Sequence, residues 1–230
     1  MNLFKRVLHK WFRLREPLDR GDVDSNLRWN RHAWGKLSRW RGIHRYGYQW
    51  GGIHEQSNSD MAAVAEKYLH PYLNGRKNLT ILEIAPGAGR FTTELVRLSH
   101  DLHLVDLNPA CIRLCRERFR YYPQVQYHLN DGQSLSSVSE STFDLIACYD
   151  AAVHMAPEVI RRYVAESAAK LKPGGVLWVD HSGKGEKHEG HRTNMTDARM
   201  REFAAEAGLA IVDQPFRNDH DCISVMRKPE

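Results

Sequence analysis

The sequence lacks the features that mark membrane-spanning and disulfide-stabilised proteins. No apolar run approaches the roughly 18–20 residues that a membrane-spanning helix needs. Only four cysteines occur among 230 residues, and their spacing forms no disulfide framework, which predicts reduced thiols and a cytoplasmic protein. There is no internal repeat and no low-complexity tract. A hydrophobic content of 42% is ample for one packed core.

Residues with the spacing of a metal site are also missing. Cys111 and Cys115 lie one helical turn apart, but no further His or Cys ligand lies near them in the sequence. We therefore expect two half-buried cysteines on one face of a helix, and we predict no metal.

Positive charge and tryptophan are concentrated near the start of the chain. Residues 1–45 contain 12 Lys and Arg against 4 Asp and Glu, whereas the remaining residues contain 21 against 24. Five of the six tryptophans lie within the first 50 residues. This distribution predicts a basic, tryptophan-rich extension over residues 1–57, followed by one catalytic domain over residues 58–230.

The first 16 residues predict a basic amphipathic helix. Apolar residues recur there at helical spacing, lysines and arginines fall on other sides, and Pro17 ends the pattern. Three roles stay open for residues 1–16. They can lie on an anionic membrane, at its inner face, or pack on their own domain or on a second copy. Binding to nucleic acid ranks lowest, because the catalytic domain has no basic excess of its own.

Residues 81–90 predict a strand, a glycine turn and the start of a helix. Pro86, Gly87 and Gly89 force a tight turn, where glycine is needed if the backbone takes positive φ or approaches a ligand closely. Glu83 lies in the strand, and Asp106 follows the next apolar run. A carboxylate in that place can accept hydrogen bonds from ribose hydroxyls, so we expect a nucleotide-type ligand at the edge of a parallel sheet.

Five segments, in order, resemble the class I S-adenosylmethionine-dependent methyltransferases. Besides the glycine turn, residues 130–132 resemble the loop that holds adenine in this family, residues 143–150 its fourth strand, and residues 171–175 the turn before strand five, residues 176–179. The resemblance covers about residues 58–227. It implies a Rossmann-like α/β fold with a seven-stranded, mostly parallel sheet, an antiparallel last strand and helices on both faces.

The resemblance implies S-adenosyl-L-methionine as cofactor. The residues that it assigns to cofactor binding are Glu83, Ala85, Pro86, Gly87, Gly89, Asp106, Leu107, Asn130, Asp131, Gly132 and Tyr149. Ala85 departs from the family pattern, which has its first glycine there, and we expect a slightly shifted turn.

The apolar pattern of the catalytic domain alternates between helices and strands. Helices are predicted near residues 59–73, 90–98, 109–121, 157–171 and 196–207. Strands are predicted near residues 79–84, 102–106, 125–129, 143–149, 175–181, 209–213 and 221–227.

The least patterned segments precede and follow this core. Residues 19–26 are polar and predict a hinge, and residues 27–57 interleave aromatic and basic residues with glycines. Many members of the family carry an N-terminal lid over the cofactor, so we expect residues 27–57 to form one, with Tyr46 and Trp50 contacting the acceptor. The alternative is a packed surface loop that covers the sheet edge.

Candidate catalytic residues lie after the fourth and fifth strands. Transfer of a methyl group to a hydroxyl usually needs a base or a metal. His154 is the first candidate base and His181 the second. Asp150 is expected to contact the acceptor or the methionine part of the donor. For His154 the alternative is a histidine packed at a helix start and hydrogen-bonded to backbone.

A long polar loop, residues 183–195, follows the fifth strand. A loop of this length at an active edge is typical of ligand binding. We predict acceptor contacts from His191, Arg192 and Asn194. A solvated loop is the alternative, and a metal site ranks below both because the histidine and acid spacing matches no usual ligand motif.

The histidine after strand four, the His-Ser pair after strand five and the His-Arg-x-Asn segment are similar to bacterial methyltransferases of glycans and natural-product sugars. The Asn/Asp-Pro-Pro-aromatic motif that marks amine methylation of DNA bases or protein glutamine is absent after strand four, where the sequence is Tyr149-Asp150-Ala151-Ala152. Our leading hypothesis is O-methylation of a hydroxyl on a glycan, a glycolipid or another small metabolite. The alternatives are an RNA methyltransferase and a non-catalytic partner protein that binds S-adenosylmethionine.

Overall fold

The computed structural model describes residues 22–42, 46, 60–138, 143–185 and 192–230. The predicted helix over residues 1–16 and the predicted acceptor contacts Trp50 and His191 lie outside these residues. None of the helices in the described ranges has the length and apolar character of a membrane span.

Seven strands form one sheet in the order β3-β2-β1-β4-β5-β7-β6. Their bounds are β1 (Leu79–Ile84), β2 (Ser99–Asp106), β3 (Val125–Leu129), β4 (Phe143–Cys148), β5 (Leu171–Ser182), β6 (Ala210–Asp213) and β7 (Asp221–Arg227). Strands β1 to β5 pair in parallel, and β7 pairs antiparallel with both β5 and β6. The predicted fold class is confirmed.

The helices lie between the strands and before them. They are α1 (Val23–Trp34), α2 (Leu37–Arg41), α3 (Met61–Tyr68), α4 (Thr92–Leu98), α5 (Pro109–Arg118), α6 (Pro157–Lys170) and α7 (Asp197–Glu206), with 3-10 turns at His70–Tyr72 and Ala152–His154. Pro109 opens α5 and Pro157 opens α6, because the first helical position needs no backbone N–H donor.

The core has two layers, one on each face of the sheet. Side chains alternate along each strand, so Ile81 and Trp178 pack against α3 and α4, whereas Leu82 and Val179 pack against α6 and α7. Cys111 and Cys115 are both buried on α5. From β1 the strands β2 and β3 are added on one side of the sheet and β4 and β5 on the other, so the strand order reverses between β1 and β4. Ligands of open α/β sheets bind at such a switch point.

The hinge predicted at residues 19–26 is wrong for residues 23–26, which belong to α1. Asp22 caps this helix, because its carboxylate accepts a hydrogen bond from the backbone N–H of Asp24 at 3.0 Å. The polar character of Asn26 predicted a turn. In the fold, Asn26 is buried and its side chain bonds a distant loop.

Strand β5 begins earlier than predicted and includes the segment 172–175, for which we predicted a turn. Its register against β4 shifts between Phe143 and Leu145. Gly174 takes a φ of +69° within this segment, which a glycine adopts without steric cost. The turn is therefore a bulge within a continuous strand.

Candidate active site

The glycine turn after β1 has the conformation that its sequence predicts. Gly87 and Gly89 have φ values of +58° and +76°. A Cβ added to Gly89 would lie 2.4 Å from the ring of Phe119, and one on Gly87 would lie 2.9 Å from the indole of Trp40. Ala85 also has positive φ, +55°, where an L-residue is strained. At positions 87 and 89, glycine is therefore required by the limited space as well as by the positive φ.

Asp106 lies at the end of β2, beside this turn. Its buried carboxylate accepts hydrogen bonds from the backbone N–H of Gly87 at 3.2 Å and of Asn108 at 2.8 Å. Burial raises the pKa of Asp106 to about 6, against the effect of these bonds. The juxtaposition of a carboxylate and a glycine turn fits the ribose of the cofactor.

Glu83, near the end of β1, is fully enclosed. Its carboxyl accepts a hydrogen bond from the hydroxyl of Thr92 at 2.5 Å. Burial raises the pKa of Glu83 to about 8, so the neutral form predominates at neutral pH.

Replacement of Glu83 by glutamine is expected to flatten the pH dependence of stability. The folded state binds the proton of Glu83 more tightly than the unfolded chain, where the ordinary pKa is 4.5. The stability that this group contributes is full below pH 4.5 and is lost as pH rises towards 8, by on the order of 1 kcal/mol per pH unit. Urea unfolding at pH 5, 6.5 and 8 measures the slope.

The exposed Glu158 provides the control for that experiment. Glu158→Gln should keep the wild-type pH slope. Equal slopes for Glu83→Gln and the wild type would contradict the prediction.

The loop after β3 brings together three predicted cofactor residues. The side-chain oxygen of Asn130 accepts from the backbone N–H of Gly132 at 3.1 Å. The exposed carboxylate of Asp131 accepts from the backbone N–H groups of Gln133 and Ser134. Although burial alone would raise the pKa of Asp131, these hydrogen bonds lower it. A Cβ on Gly132 would lie 3.2 Å from Leu107, so the loops that follow β2 and β3 are in contact.

Helix α1 lies across these loops. Leu27 is buried, and its Cδ2 would lie 2.9 Å from a Cβ on Gly132. The guanidinium of Arg31 donates to the backbone carbonyl of Asp131 at 2.9 Å. Helix α2 continues the cover, because Trp40 is buried over Gly87 and donates from its indole N–H to the carbonyl of Trp34.

Two asparagines anchor α1 to the loop after β4. The side-chain amides of Asn26 and Asn30 donate to the carbonyl of His154 at 3.0 and 3.1 Å. The side-chain oxygen of Asn26 also accepts from the backbone N–H of Ala156 at 3.1 Å. These bonds connect segments more than 120 residues apart, so they fix α1 on the active edge.

Asn26→Ala is expected to lower the free energy of unfolding by about 2 kcal/mol, because it leaves the buried backbone N–H of Ala156 without a partner and removes one of the two amides that donate to the carbonyl of His154. It should also increase protease cleavage within α1. Arg28→Ala is the control on the same helix, since Arg28 is exposed. Limited proteolysis and urea unfolding check both variants; wild-type behaviour of Asn26→Ala would contradict the anchoring role.

His154 lies beside two tryptophans of α1. The centroid of its half-buried imidazole is 5.3 Å from that of Trp34 and 6.0 Å from that of Trp29. The two indoles meet edge to face at 6.1 Å. Sequence reasoning assigned no role to either tryptophan, although their density in the extension was the available signal. An aromatic wall therefore flanks the first candidate base.

The environment of His181 does not fit the predicted role of a second base. His181 is fully buried, and its ring nitrogens lie 2.7 Å from the carbonyl of Ser182 and 2.7 Å from the hydroxyl of Ser224. Burial lowers its pKa to about 4. Strand alternation turns its side chain to the opposite face from Asp180. His181 packs the β5–β7 pair instead.

Asp150 belongs to a network of ion pairs. It has a φ of +52°, and its carboxylate lies 2.6 Å from the guanidinium of Arg90 and 3.5 Å from that of Arg217. Arg217 is also 3.1 Å from each of Asp180 and Asp221. Sequence reasoning missed three residues of this network: Arg90 in the glycine turn, Arg217 in the loop between β6 and β7, and Asp221 at the start of β7.

The remaining predicted residues have other neighbours. Nε and Nη2 of Arg192 donate to the two carboxylate oxygens of Asp221 at 2.6 and 2.8 Å, so this side chain supports the network rather than reaching outwards. Asn194 accepts from Arg199 at 3.4 Å, and Tyr46 is 37% exposed. Their acceptor contacts stay predictions.

Tyr149 directly follows β4 and lies within a stack of rings. Its ring centroid is 4.7 Å from that of Phe91 and 5.9 Å from that of Trp178. The guanidinium carbons of Arg90 and Arg217 each lie 5.3 Å from the ring. This stack joins the glycine turn to the ion-pair network.

Comparisons with known proteins give one family match and many structures of similar fold. The family described as "Methyltransferase domain" matches residues 81–175. The fold is similar to magnesium protoporphyrin IX methyltransferase from Synechocystis PCC 6803 with bound SAM, at 14% identity and a TM-score of 0.65, over 88% of this chain and 97% of that chain. No curated protein matches the sequence.

Two further structures share the fold. N-methyltransferase NodS from Bradyrhizobium japonicum WM9 is 18% identical, with a TM-score of 0.61 over 74% of this chain and 97% of that chain. An amino pentose methyltransferase from Micromonospora echinaspora is also 18% identical, with a TM-score of 0.61 over 81% of this chain and 95% of that chain. The family match over residues 81–175, together with the glycine turn and its two acidic partners, supports a methyltransferase domain that has the class I fold and uses S-adenosylmethionine.

Proposed function

We propose that this enzyme methylates a hydroxyl of a glycan, a glycolipid or another small metabolite, with His154 as the general base. The observation that supports the proposal is the position of His154, at the loop after β4, beside the switch point of the sheet and against Trp29 and Trp34. Histidine suits proton removal near neutral pH.

In this proposal one group of residues binds the reactants, and His154 transfers a proton. S-adenosylmethionine supplies an electrophilic methyl group on a sulfonium. Asp106 and the loop of Asn130 to Gly132 hold the nucleoside, and a ring nitrogen of His154 takes the proton of the acceptor hydroxyl. Correct alignment of the reactants supplies much of the acceleration. Trp29 and Trp34 exclude water and offer flat apolar faces to the acceptor.

Helices α1 and α2 act in this proposal as part of the N-terminal lid. They cover the glycine turn through Trp40 and the loop after β3 through Leu27. Residues 1–16 then bring the enzyme to anionic lipid at the inner face of the membrane. Sedimentation with anionic vesicles tests that step. Equal binding by the full chain and by a chain lacking residues 1–16 contradicts it.

Transfer of labelled methyl from S-adenosylmethionine into a fractionated cell extract tests the acceptor class. Label in the glycolipid or small-molecule fraction supports the proposal. Label in RNA overturns it and makes the basic extension a phosphate-binding segment. Label in no fraction, from protein that binds S-adenosylmethionine, favours the non-catalytic alternative. Heat-inactivated enzyme is the blank for every fraction.

A further inference from the structure

Three buried polar atoms near the end of β5 lack hydrogen-bond partners within the described residues: Asp180 Oδ1, Ser182 Oγ and Arg217 Nε. The residues are 0%, 3% and 7% exposed. Each such atom destabilises the fold unless it finds a partner, and folded proteins contain few of them. Their concentration in one place indicates a group that binds there.

The three residues form one site. Asp180 and Ser182 are two positions apart on β5, so their side chains share a face of the sheet. Arg217 Nη2 lies 3.1 Å from Asp180 Oδ2, and also 3.1 Å from Oδ2 of Asp221, the residue paired with Ser182 across β5 and β7. We name Asp180, Ser182 and Arg217 the polar site.

The polar site adjoins the candidate active site. The backbone N–H of Asp150, in the loop after β4, donates to Asp180 Oδ2 at 3.2 Å. The guanidinium of Arg217 lies 5.3 Å from the ring of Tyr149, the residue after β4. A molecule bound beyond the carboxyl ends of β4 and β5 is therefore in reach of both sites.

The unpartnered atoms specify the chemistry of the molecule. Oδ1 of Asp180 is an acceptor when ionised, Nε of Arg217 is a donor, and the hydroxyl of Ser182 is both. One hydroxyl group can donate to Asp180 while it accepts from Arg217. The carboxylates of Asp150, Asp180 and Asp221 are matched by the guanidinium groups of Arg90, Arg192 and Arg217, so the network has no excess charge and suits a neutral ligand. Burial raises the pKa of Asp180 to about 7, and a hydroxyl suits either protonation state.

We propose that the polar site binds hydroxyl groups of the methyl acceptor and thereby selects a neutral, polyhydroxylated ring such as a sugar. This inference rests on the proposed function, because it names the part of the acceptor that lies beside β5. Asp180, Ser182 and Arg217 are specificity residues in it, and His154 keeps the role of base.

Methyl glycosides of glucose, galactose, mannose and rhamnose are the probes. Each is added to the enzyme saturated with S-adenosylhomocysteine, and the unfolding temperature is followed against glycoside concentration. At least one glycoside should raise the unfolding temperature of the wild type by several degrees, since a ligand of the folded state stabilises it. Ser182→Ala should need about tenfold more glycoside for the same shift.

Ser182→Ala removes a hydroxyl without a partner, so its unfolding temperature without glycoside should equal or exceed that of the wild type. Its affinity for S-adenosylhomocysteine should not change. Ser167→Ala is the matched control, because Ser167 on α6 also has a buried hydroxyl without a partner in the described residues. Ser167→Ala should keep the wild-type response to glycoside.

Two results overturn the inference. One is the absence of any glycoside shift in the wild type; the other is an equal response from Ser182→Ala and Ser167→Ala, which leaves ordered water as the occupant. Transfer of labelled methyl separates this failure from that of the proposed function. If the acceptor fraction half-saturates Ser182→Ala at the same concentration as the wild type, the polar site is refuted and the proposed function is not. Label in RNA refutes the proposed function.

Discussion

Gly89→Ala is expected to lower the free energy of unfolding by about 2–5 kcal/mol and to weaken S-adenosylmethionine binding at least tenfold. The φ of +76° costs an L-residue roughly 1–2 kcal/mol. The added Cβ would lie 2.4 Å from the ring of Phe119, and overpacking of this kind costs about 1–3 kcal/mol. Phe119 is buried, so its ring cannot move aside freely.

Gly208 separates the two contributions. Its φ of +71° matches that of Gly89, but nothing lies within 4 Å of the Cβ that alanine would add. Gly208→Ala should therefore cost about 1 kcal/mol, from backbone conformation alone, and leave cofactor affinity unchanged. Urea unfolding and calorimetric titration with S-adenosylmethionine measure both effects. Equal loss of stability in the two variants would show that the space beside Phe119 is not limiting.

The sheet and its cofactor loops could be predicted because their signals are local. β1, β3 and β7 have the bounds that apolar alternation gives, and the glycine turn follows β1 as its residues require. The conformation of Ala85 shows why its replacement of glycine is tolerated: the left-handed φ is retained at the cost of strain.

The parts that sequence could not supply depend on partners far along the chain. Asn26 resembles a turn residue until the carbonyl of His154, 128 positions later, accepts its amide. The burial of His181 could not be predicted without the register of β5 to a single residue, because the positions on either side of His181 face the other layer of the core. The network around Arg217 needs three loops to meet, and nothing in local composition indicates that meeting.

His154→Ala is expected to lower turnover by about 10²–10⁴-fold under the proposed mechanism, because the acceptor hydroxyl loses its base. Affinity for S-adenosylmethionine should change little, since the residues that fit the nucleoside lie on β2 and the loop after β3. The ring of His154 also packs on Trp34, so loss of activity alone does not distinguish a base from a packing residue.

Imidazole added to His154→Ala makes that distinction. A small base that enters the space left by the ring should restore part of the turnover, and the restored rate should rise with pH as free imidazole loses its proton. His100→Ala is the control, because His100, near the start of β2, is exposed and its ring bonds the carbonyl of Asn78, which directly precedes β1. If turnover falls without any rescue while α1 becomes sensitive to protease, His154 holds the lid and the base must be sought elsewhere. Rescue with an intact lid assigns the proton transfer to the imidazole, because packing lost at Trp34 cannot be restored in a pH-dependent manner.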